Sequence, residues 1–408
     1  MARPSFAPFR HRAFTLFWIG SFVSNIGTVM ESVALGIYVQ DRTGRATWNG
    51  IVAAFGFLPT GLCAPIGGAL ADRMSRKRLL GASTIAMMIL ATLMTVIVAT
   101  NRGAPIVIAL IAFAGGAANA LGWPAFQSLL PELVPPELLV SAVGLSSAQW
   151  NLARVVAPLC AALVVGFAGV PWALGFNAVS FIAVLVVVII VPIPAIARAP
   201  STQRVAAAIK QGWSYVRHDG VLWLNLRTLC FNAFFGAAYL GLVPAVSRKV
   251  FHGGKGLTGV LSTAMGFGAV VAAVMLGQLV ARFGVRRVIT GITISMPVAT
   301  AAYALAPWSV LAVPAIAALG FCYMTGMLSY TTVVQTRTPP ELRGRVLSIN
   351  TVGLGLSYPL AVFVQGALGD RIGLRGAMFA FAVVALMALA VVRVRRPAIA
   401  EPFAATVA

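Results

Sequence analysis

The stretch Gly68-Ala69-Leu70-Ala71-Asp72-Arg73-Met74-Ser75-Arg76-Lys77-Arg78 is a dense cluster of charge between two long apolar segments, 50–71 and 79–100. Each segment is long enough to cross the ~30 Å hydrocarbon core of a bilayer, which requires about 20 apolar residues in a helix. The whole chain of 408 residues is 60% hydrophobic and only 10% charged, whereas soluble domains are about 25% charged. The sequence therefore predicts a polytopic membrane protein and excludes a water-soluble one.

Outward from this cluster, the pattern of apolar segments and short polar breaks continues along the entire chain. Between the sixth and seventh segments lies the longest polar stretch, in which residues 205–216 predict a short amphipathic helix at the membrane surface. Twelve apolar segments are present: 14–39, 50–71, 79–100, 106–130, 142–167, 172–191, 221–246, 257–281, 288–305, 309–335, 346–369 and 377–394.

The charge is unbalanced, with 30 Lys and Arg against 9 Asp and Glu. Nucleic-acid binding would require these basic residues on one solvated face, but here they lie in the breaks between apolar segments. Of the 30, 20 lie in the loops of one side and 8 in those of the other. By the positive-inside rule this bias predicts that both termini are cytoplasmic. We expect membrane lipid, and no nucleic acid, among the partners.

The chain also repeats itself. Residues 135–138 read Pro-Pro-Glu-Leu and so do residues 339–342, half a chain length later. We predict an all-α fold with twelve transmembrane helices in two pseudo-symmetric six-helix bundles, 1–191 and 221–408, joined by a cytoplasmic central loop at 192–220. Transporters built from parallel repeats hold their substrate between the two halves, near the bilayer midplane.

The cluster at 68–78 resembles the signature loop of the major facilitator superfamily, with Ser75 in place of the usual second Gly. Further stretches resemble the bacterial efflux branch that includes the enterobactin exporter and macrolide exporters. This resemblance implies the major facilitator fold and transport by alternating access. The stretches are Ser-Asn-Ile-Gly at 24–27, Leu-Val-Pro-Pro-Glu-Leu at 133–138, Asn-Leu-Ala-Arg-Val-Val-Ala-Pro at 151–158, Phe-Asn-Ala-Val-Ser-Phe at 176–181 and Gly-Trp-Ser-Tyr-Val-Arg at 212–217.

The signature loop is a candidate conformational latch. Gly68 permits close approach of a neighbouring helix, and a carboxylate such as Asp72 is stabilised at a helix N-terminus. The resemblance implies that this helix is span eleven, beginning near Arg345. The alternative is a basic loop that only sets topology. The latch residues are Gly68, Asp72, Arg73, Arg76, Lys77 and Arg78.

Two ionisable residues lie within predicted spans and are candidates for the transport chemistry, because a charge at membrane depth costs several kcal/mol. Glu31 shares a polar stripe of span one with Asn25 and Thr28. We predict that Glu31 is the proton-coupling acid; the alternative is a hydrated or Arg-paired structural carboxylate near the outer mouth. Arg154, halfway along span five, either pairs with Glu31 or presents a cation to an acidic or catecholate substrate.

The superfamily resemblance also implies that spans one, four, seven and ten line the substrate cavity. Aromatic side chains with scattered amides suit a bulky amphipathic ligand, although amides also serve packing between helices. The predicted cavity residues are Asn25, Thr28, Asn119, Trp123, Gln127, Asn232, Tyr239, Tyr323 and Tyr330.

Enzyme chemistry has no support in the sequence. The three His residues lie in loops, the four Cys residues lie in apolar segments, and no phosphate-binding loop of the Walker type is present. We expect no cofactor, metal or disulfide. The prediction is a monomeric, proton-driven exporter of a drug-like or siderophore-like small molecule in the bacterial cytoplasmic (inner) membrane. The alternatives are a facilitator or importer of a small metabolite and a non-transporting membrane sensor or assembly partner.

Overall fold

The computed structural model describes residues 6–191 and 205–395, so residues 192–204 of the predicted central loop lie outside the described residues. The described ranges contain α-helices and short 3₁₀ turns and no β-strand. The helices are α1 Arg12–Thr43, α2 Ala46–Arg73, α3 Arg76–Ala99, α4 Pro105–Leu129, α5 Leu139–Phe167, α6 Val170–Ile190, α7 Val205–His218, α8 Gly220–Gly236, α9 Val243–Lys249, α10 Lys255–Leu305, α11 Ser309–Arg337, α12 Pro340–Ile372 and α13 Leu374–Arg395.

The helices account for twelve membrane crossings. Within the described residues, nine helices are long and apolar enough to cross a membrane. One of these, α10, contains two crossings, because it is sharply kinked at Gly284, where φ is +76°. The 28-residue helix α2 and the pair α8 and α9 supply the remaining two crossings. The predicted all-α polytopic fold is confirmed, and α7 is the short helix predicted at 205–216.

The seventh span differs from the prediction of one continuous helix over 221–246. Helix α8 ends at Gly236, a 3₁₀ turn follows at Ala238–Gly241, and α9 begins at Val243. Pro244, which lacks a backbone N–H, lies in the first turn of α9, where no helical hydrogen bond is lost. A Cβ on Gly241 would lie 2.7 Å from that of Ala53 in α2. The break therefore lets this segment pack tightly against the first half of the chain.

We term the end of the bundle that holds the α2–α3 turn the inner end, and the end that holds the α1–α2 turn the outer end, after the predicted orientation. The buried apolar cores separate largely by half. One core draws on α1 to α6 and includes Met30, Met94 and Leu174. Another lies mainly among α8 to α13, includes Tyr303 and Ile316, and also takes in Ala46 and Ala54 of α2. Each half therefore has its own packed interior.

The halves meet along the outer portions of two helix pairs. Helix α2 packs on α12, where a Cβ on Gly50 would lie 2.6 Å from the carbonyl oxygen of Val362. Helix α5 packs on α10, where the Thr263 hydroxyl donates to the carbonyl of Val155 at 3.2 Å. A cavity lies between the two halves.

Candidate functional site

A large cavity lies between the two halves. Its volume is about 560 Å³, and it is lined by residues from α1 to α6, the 3₁₀ turn at Ala238–Gly241, and α9 to α12. This size falls in the range of pockets that bind drug-sized ligands. Two of its lining residues carry charge, the carboxylate of Glu31 and the guanidinium of Arg154.

Glu31 is held on the wall of the cavity by a contact between α1 and α6. Its carboxylate accepts a hydrogen bond from the side-chain amide of Asn177, which is 2% exposed. The contact depends on Gly27, one turn earlier in α1, where a Cβ would lie 2.7 Å from the Asn177 amide oxygen. The small residue thus brings the two helices close enough for the amide to reach the carboxylate.

Arg154 lies on α5, where that helix crosses α10 of the other half. Its guanidinium is 5.7 Å from the centre of the Trp150 ring, one turn earlier. Of the two alternatives for Arg154, an ion pair with Glu31 is not among the ion pairs of the described residues. The reason is that Asn177 occupies Glu31 from within the same half, while Arg154 stacks on its own helix neighbour.

The other predicted cavity residues divide into two groups. Asn25, Thr28, Asn119, Trp123 and Tyr323 line the cavity. Gln127, Asn232, Tyr239 and Tyr330 do not line it. Gln127 lies exposed near the inner end of α4, and Tyr239 is 1% exposed within the core of the second half.

Asn232 and Tyr330 bind each other instead of facing the cavity. The Asn232 amide donates to the Tyr330 hydroxyl and, at 3.1 Å, to the hydroxyl of Thr293. Both residues border a separate void of only about 10 Å³, which holds one water molecule at most. Asn232 lies on α8 and Tyr330 on α11, and each is on the face of its helix that packs against the other helix.

In the latch loop, the side chains of Arg76 and Lys77 contact other elements of the first half. Arg76 forms an ion pair with Glu132 and donates to the carbonyl of Ser128 at 3.3 Å. Lys77 donates to the carbonyl of Ile189 at 3.2 Å. Ser75 caps α3, because its hydroxyl accepts from the backbone N–H of Arg78 at 3.4 Å. These contacts fasten α3 to its neighbours.

The latch prediction pairs Asp72 with the N-terminus of span eleven. The backbone of α2 continues through Arg73, but the side chains of Gly68, Asp72 and Arg73 lie outside the part that the structure describes. The helix to which the resemblance assigned Asp72, α12, begins at Pro340 and not near Arg345. Pro340 suits the first turn of a helix, where its missing N–H costs nothing.

A carboxylate that sequence reasoning missed joins the halves at the outer end. Asp370 of α12 accepts from the backbone N–H groups of Ala46 at 2.9 Å and Thr47 at 2.8 Å, the first residues of α2. It also accepts from the Thr47 hydroxyl at 2.6 Å and pairs with Lys249 at 2.6 Å. One carboxylate thus caps a helix of the opposite half.

A signal for Asp370 was present in the sequence. Residues 366–371 read Gly-Ala-Leu-Gly-Asp-Arg, and residues 68–73 of the signature loop read Gly-Ala-Leu-Ala-Asp-Arg. The first copy ends α2 at the inner end, and the second lies in the last turns of α12 at the outer end. In the second copy, the carboxylate binds the N-terminus of a helix from the other half.

The comparisons with known proteins agree with this architecture. The profile of the family described as transmembrane secretion effector matches residues 3–405. Macrolide efflux protein A of Streptococcus pyogenes is 26% identical over 374 residues, which cover 88% of this chain and 90% of that protein. The enterobactin exporter EntS of Shigella boydii is 25% identical over 372 residues, covering 89% and 84% of the two chains.

Solved structures share the fold at low sequence identity. The nucleoside transporter NupG superposes with a TM-score of 0.75 at 13% identity, over 92% of this chain and 97% of that one. A bacterial homolog of the human lysosomal transporter Spinster, in an inward-facing and unoccupied conformation, superposes with a TM-score of 0.71 at 14% identity. That match covers 93% of this chain and 96% of the other.

Proposed function

Because this chain belongs to the transmembrane secretion effector family of the major facilitator superfamily, we propose that it is a proton-driven exporter of drug-like or siderophore-like molecules. Its family and its curated relatives are transporters, and this chain is likewise a transporter and not an enzyme. It works as a monomer in the bacterial inner membrane, with both termini in the cytoplasm. The names of the relatives, macrolide efflux protein and enterobactin exporter, suggest the size and class of cargo.

The single observation that carries the proposal is the 560 Å³ cavity between the halves, which contains one carboxylate and one guanidinium at membrane depth. Its outer side is closed by the contacts of α2 with α12 and of α5 with α10. A cargo molecule therefore enters from the inner end, as export requires. A membrane sensor or assembly partner has no need of such a cavity.

Proton coupling is assigned to Glu31. The other described acids lie at helix ends or in loops, whereas Glu31 lines the cavity within α1. In the outward-open state the carboxylate takes a proton from the outer side, and in the inward-open state it releases that proton to the cytoplasm.

The signature loop at 68–78 is the second element of the proposal. In the outward-open state, Asp72 caps the N-terminus of α12 across the halves, as Asp370 caps α2 at the opposite end. Arg73, Arg76, Lys77 and Arg78 hold the loop against its own half and against lipid phosphates. The latch thereby stabilises closure of the inner end.

Transport into proteoliposomes tests the proposal. Vesicles containing the purified protein and an imposed pH gradient are assayed with erythromycin and enterobactin, the cargo class that the relatives suggest. We expect accumulation of at least one of them only when a gradient is present, and loss of gradient dependence in Glu31→Gln. Glu137→Gln, which removes an exposed carboxylate at the inner end, is the matched control and keeps the coupling.

Two results would contradict the proposal. Full pH-dependent transport by Glu31→Gln would remove Glu31 from the coupling. Gradient-independent equilibration of cargo by the unmodified protein would favour a facilitator.

A further inference from the structure

The position of Arg154 in the cavity is fixed by tight packing between the halves. Gly266 of α10 lies so close to α5 that a Cβ there would be 2.5 Å from the carbonyl oxygen of Arg154. On either side of Arg154 in α5, Ala153 and Ala157 are fully buried. The backbone at Arg154 therefore cannot shift to take the charge out of the cavity.

The guanidinium lies over one aromatic ring and has no anionic partner among the described residues. Trp150 covers it at 5.7 Å, and the Trp123 ring lies 6.1 Å from that of Trp150. Tyr323, from α11 of the other half, lines the same cavity. Among the described residues no carboxylate pairs with Arg154 and no oxygen accepts a hydrogen bond from its guanidinium.

The other charge in the cavity does not fill this role, since Glu31 is bound to Asn177. A guanidinium at membrane depth is costly without a counter-ion. Trp150 covers its face, and cation–π contact with a ring leaves the N–H groups at the edge available to an acceptor. A carboxylate bound there can accept two parallel hydrogen bonds.

We propose that Arg154 is the specificity-determining residue of an anion subsite in the cavity, and that the cargo is an aromatic molecule bearing a carboxylate or an ionised phenol. The anionic group binds the edge of the guanidinium, while the aromatic part of the cargo lies against Trp123, Trp150 and Tyr323. This inference rests on the proposed transport function and narrows its substrate class.

Equilibrium dialysis with two matched probes tests the subsite. The probes are 1-naphthylacetate and its uncharged amide, 1-naphthylacetamide, which differ in charge but hardly in shape. The full-length protein in lipid nanodiscs is dialysed against each, with empty nanodiscs as the blank. We expect Arg154→Gln to weaken binding of the carboxylate about tenfold, the effect of one lost charged hydrogen bond, and to leave amide binding unchanged.

Two further variants separate charge recognition from damage to the fold. Arg154→Lys keeps the charge and retains most of the carboxylate binding. Arg227→Gln, which removes an exposed cation near the inner end of α8, leaves the binding of both probes unchanged. Elution as a single symmetric peak in gel filtration shows that each variant is folded.

The proposal is overturned if Arg154→Gln binds the carboxylate as tightly as the unmodified protein does, or if it loses both probes equally. A preference for the amide in the unmodified protein would also overturn it. Dialysis needs no proton gradient. Charge-selective binding in a protein that shows no gradient-driven transport would therefore refute the proton-driven exporter and leave the subsite standing.

Discussion

The outer and inner ends of the molecule use charged side chains in different ways. At the outer end, the ion pair of Arg248 with Asp41 joins the two halves. Lys249 pairs within the second half with Asp370, the carboxylate that caps α2 of the first half. At the inner end, Arg76 with Glu132 lies within the first half, and Arg337 with Asp219 lies within the second. These are the four ion pairs among the described residues. The ends therefore differ in whether their charges connect the halves or only stabilise each half.

The contrast is sharpest between two carboxylates that make the same kind of contact. Asp370 caps α2, which belongs to the opposite half, and pairs with Lys249 of α9, which belongs to its own half. Asp219 caps α8 through the N–H groups of Val221 and Leu222 and pairs with Arg337, all within the second half. Of these contacts, only those of Asp370 with the N-terminus of α2 must break for the outer end to open. Stabilisation of a conformation and stabilisation of the fold can thus be separated by mutation.

The largest effect is expected from Gly355→Ala. A methyl group on Gly355 of α12 would collide with the backbone of Gly61 in α2, so the halves must separate. Overpacking typically costs about 1–3 kcal/mol, enough to shift the closing equilibrium tenfold or more. Spin labels are placed at Arg102 and Trp308, on the outer loops of the two halves, and the distance between them is measured by pulsed electron–electron double resonance. This distance should be longer in the variant than in the unmodified protein. Gly320→Ala, which crowds Met265 within one half, should lower the thermal midpoint without lengthening that distance.

Asp370→Ala is expected to have the next largest effect. Loss of an N-cap costs about 0.5–2 kcal/mol, and the variant also leaves Lys249 without its partner. The outward-open population should rise about tenfold in the same distance measurement. Asp219→Ala, the matched control, should destabilise the protein by a similar amount while the distance distribution stays unchanged. An equal shift in both variants would mean that the outer contacts have no special role in closure.

Lys249→Gln should have a smaller effect in the same direction. The variant removes the ion pair but leaves the hydrogen bonds from Ala46 and Thr47 to Asp370 in place. Because the pair is partly exposed, its contribution is on the order of 1 kcal/mol or less. The outward-open population should rise by about fivefold at most in the distance measurement. Since Lys249 and Asp370 lie in the same half, a shift as large as that of Asp370→Ala would show that Asp370 caps α2 only when Lys249 holds it in place.

Asp41→Asn should have the smallest effect. Arg248 and Asp41 are 3.9 Å apart and both are largely exposed. Exposed pairs of this kind contribute about 0–1 kcal/mol, so the distance distribution should change less than twofold. A larger change would show that the α1–α9 contact contributes to closure.

Much of the fold could be predicted because it depends on composition and repeated motifs. The apolar segments located the spans, and the cluster at 68–78 indicated the superfamily. Contacts between distant segments could not be predicted. The residues at 221–246 form one predominantly apolar segment, so the sequence gives no sign of the break after Gly236. The need for a glycine at position 241 comes from its close packing against α2 and α12, which are distant in sequence.

The candidate site could be predicted only where it depends on a local pattern within one helix. The stripe with Asn25, Thr28 and Glu31 faces the cavity because a polar face on an apolar helix avoids lipid. Asn232 and Tyr330 satisfy each other instead, and helical spacing cannot distinguish a face that meets a cavity from one that meets another helix. The Asn177 contact with Glu31 depends on the close approach of α1 and α6 at Gly27, which no local pattern reveals.

The most direct test uses the two copies of the Gly-Ala-Leu-x-Asp-Arg motif. Distances are measured between outer labels at Arg102 and Trp308, and between inner labels at Val140 and Phe283, in Asp72→Asn and Asp370→Asn. Alternating closure predicts opposite shifts: Asp370→Asn lengthens the outer distance and shortens the inner one, and Asp72→Asn does the reverse. Shifts in the same direction, or no shift in Asp72→Asn, would contradict the account.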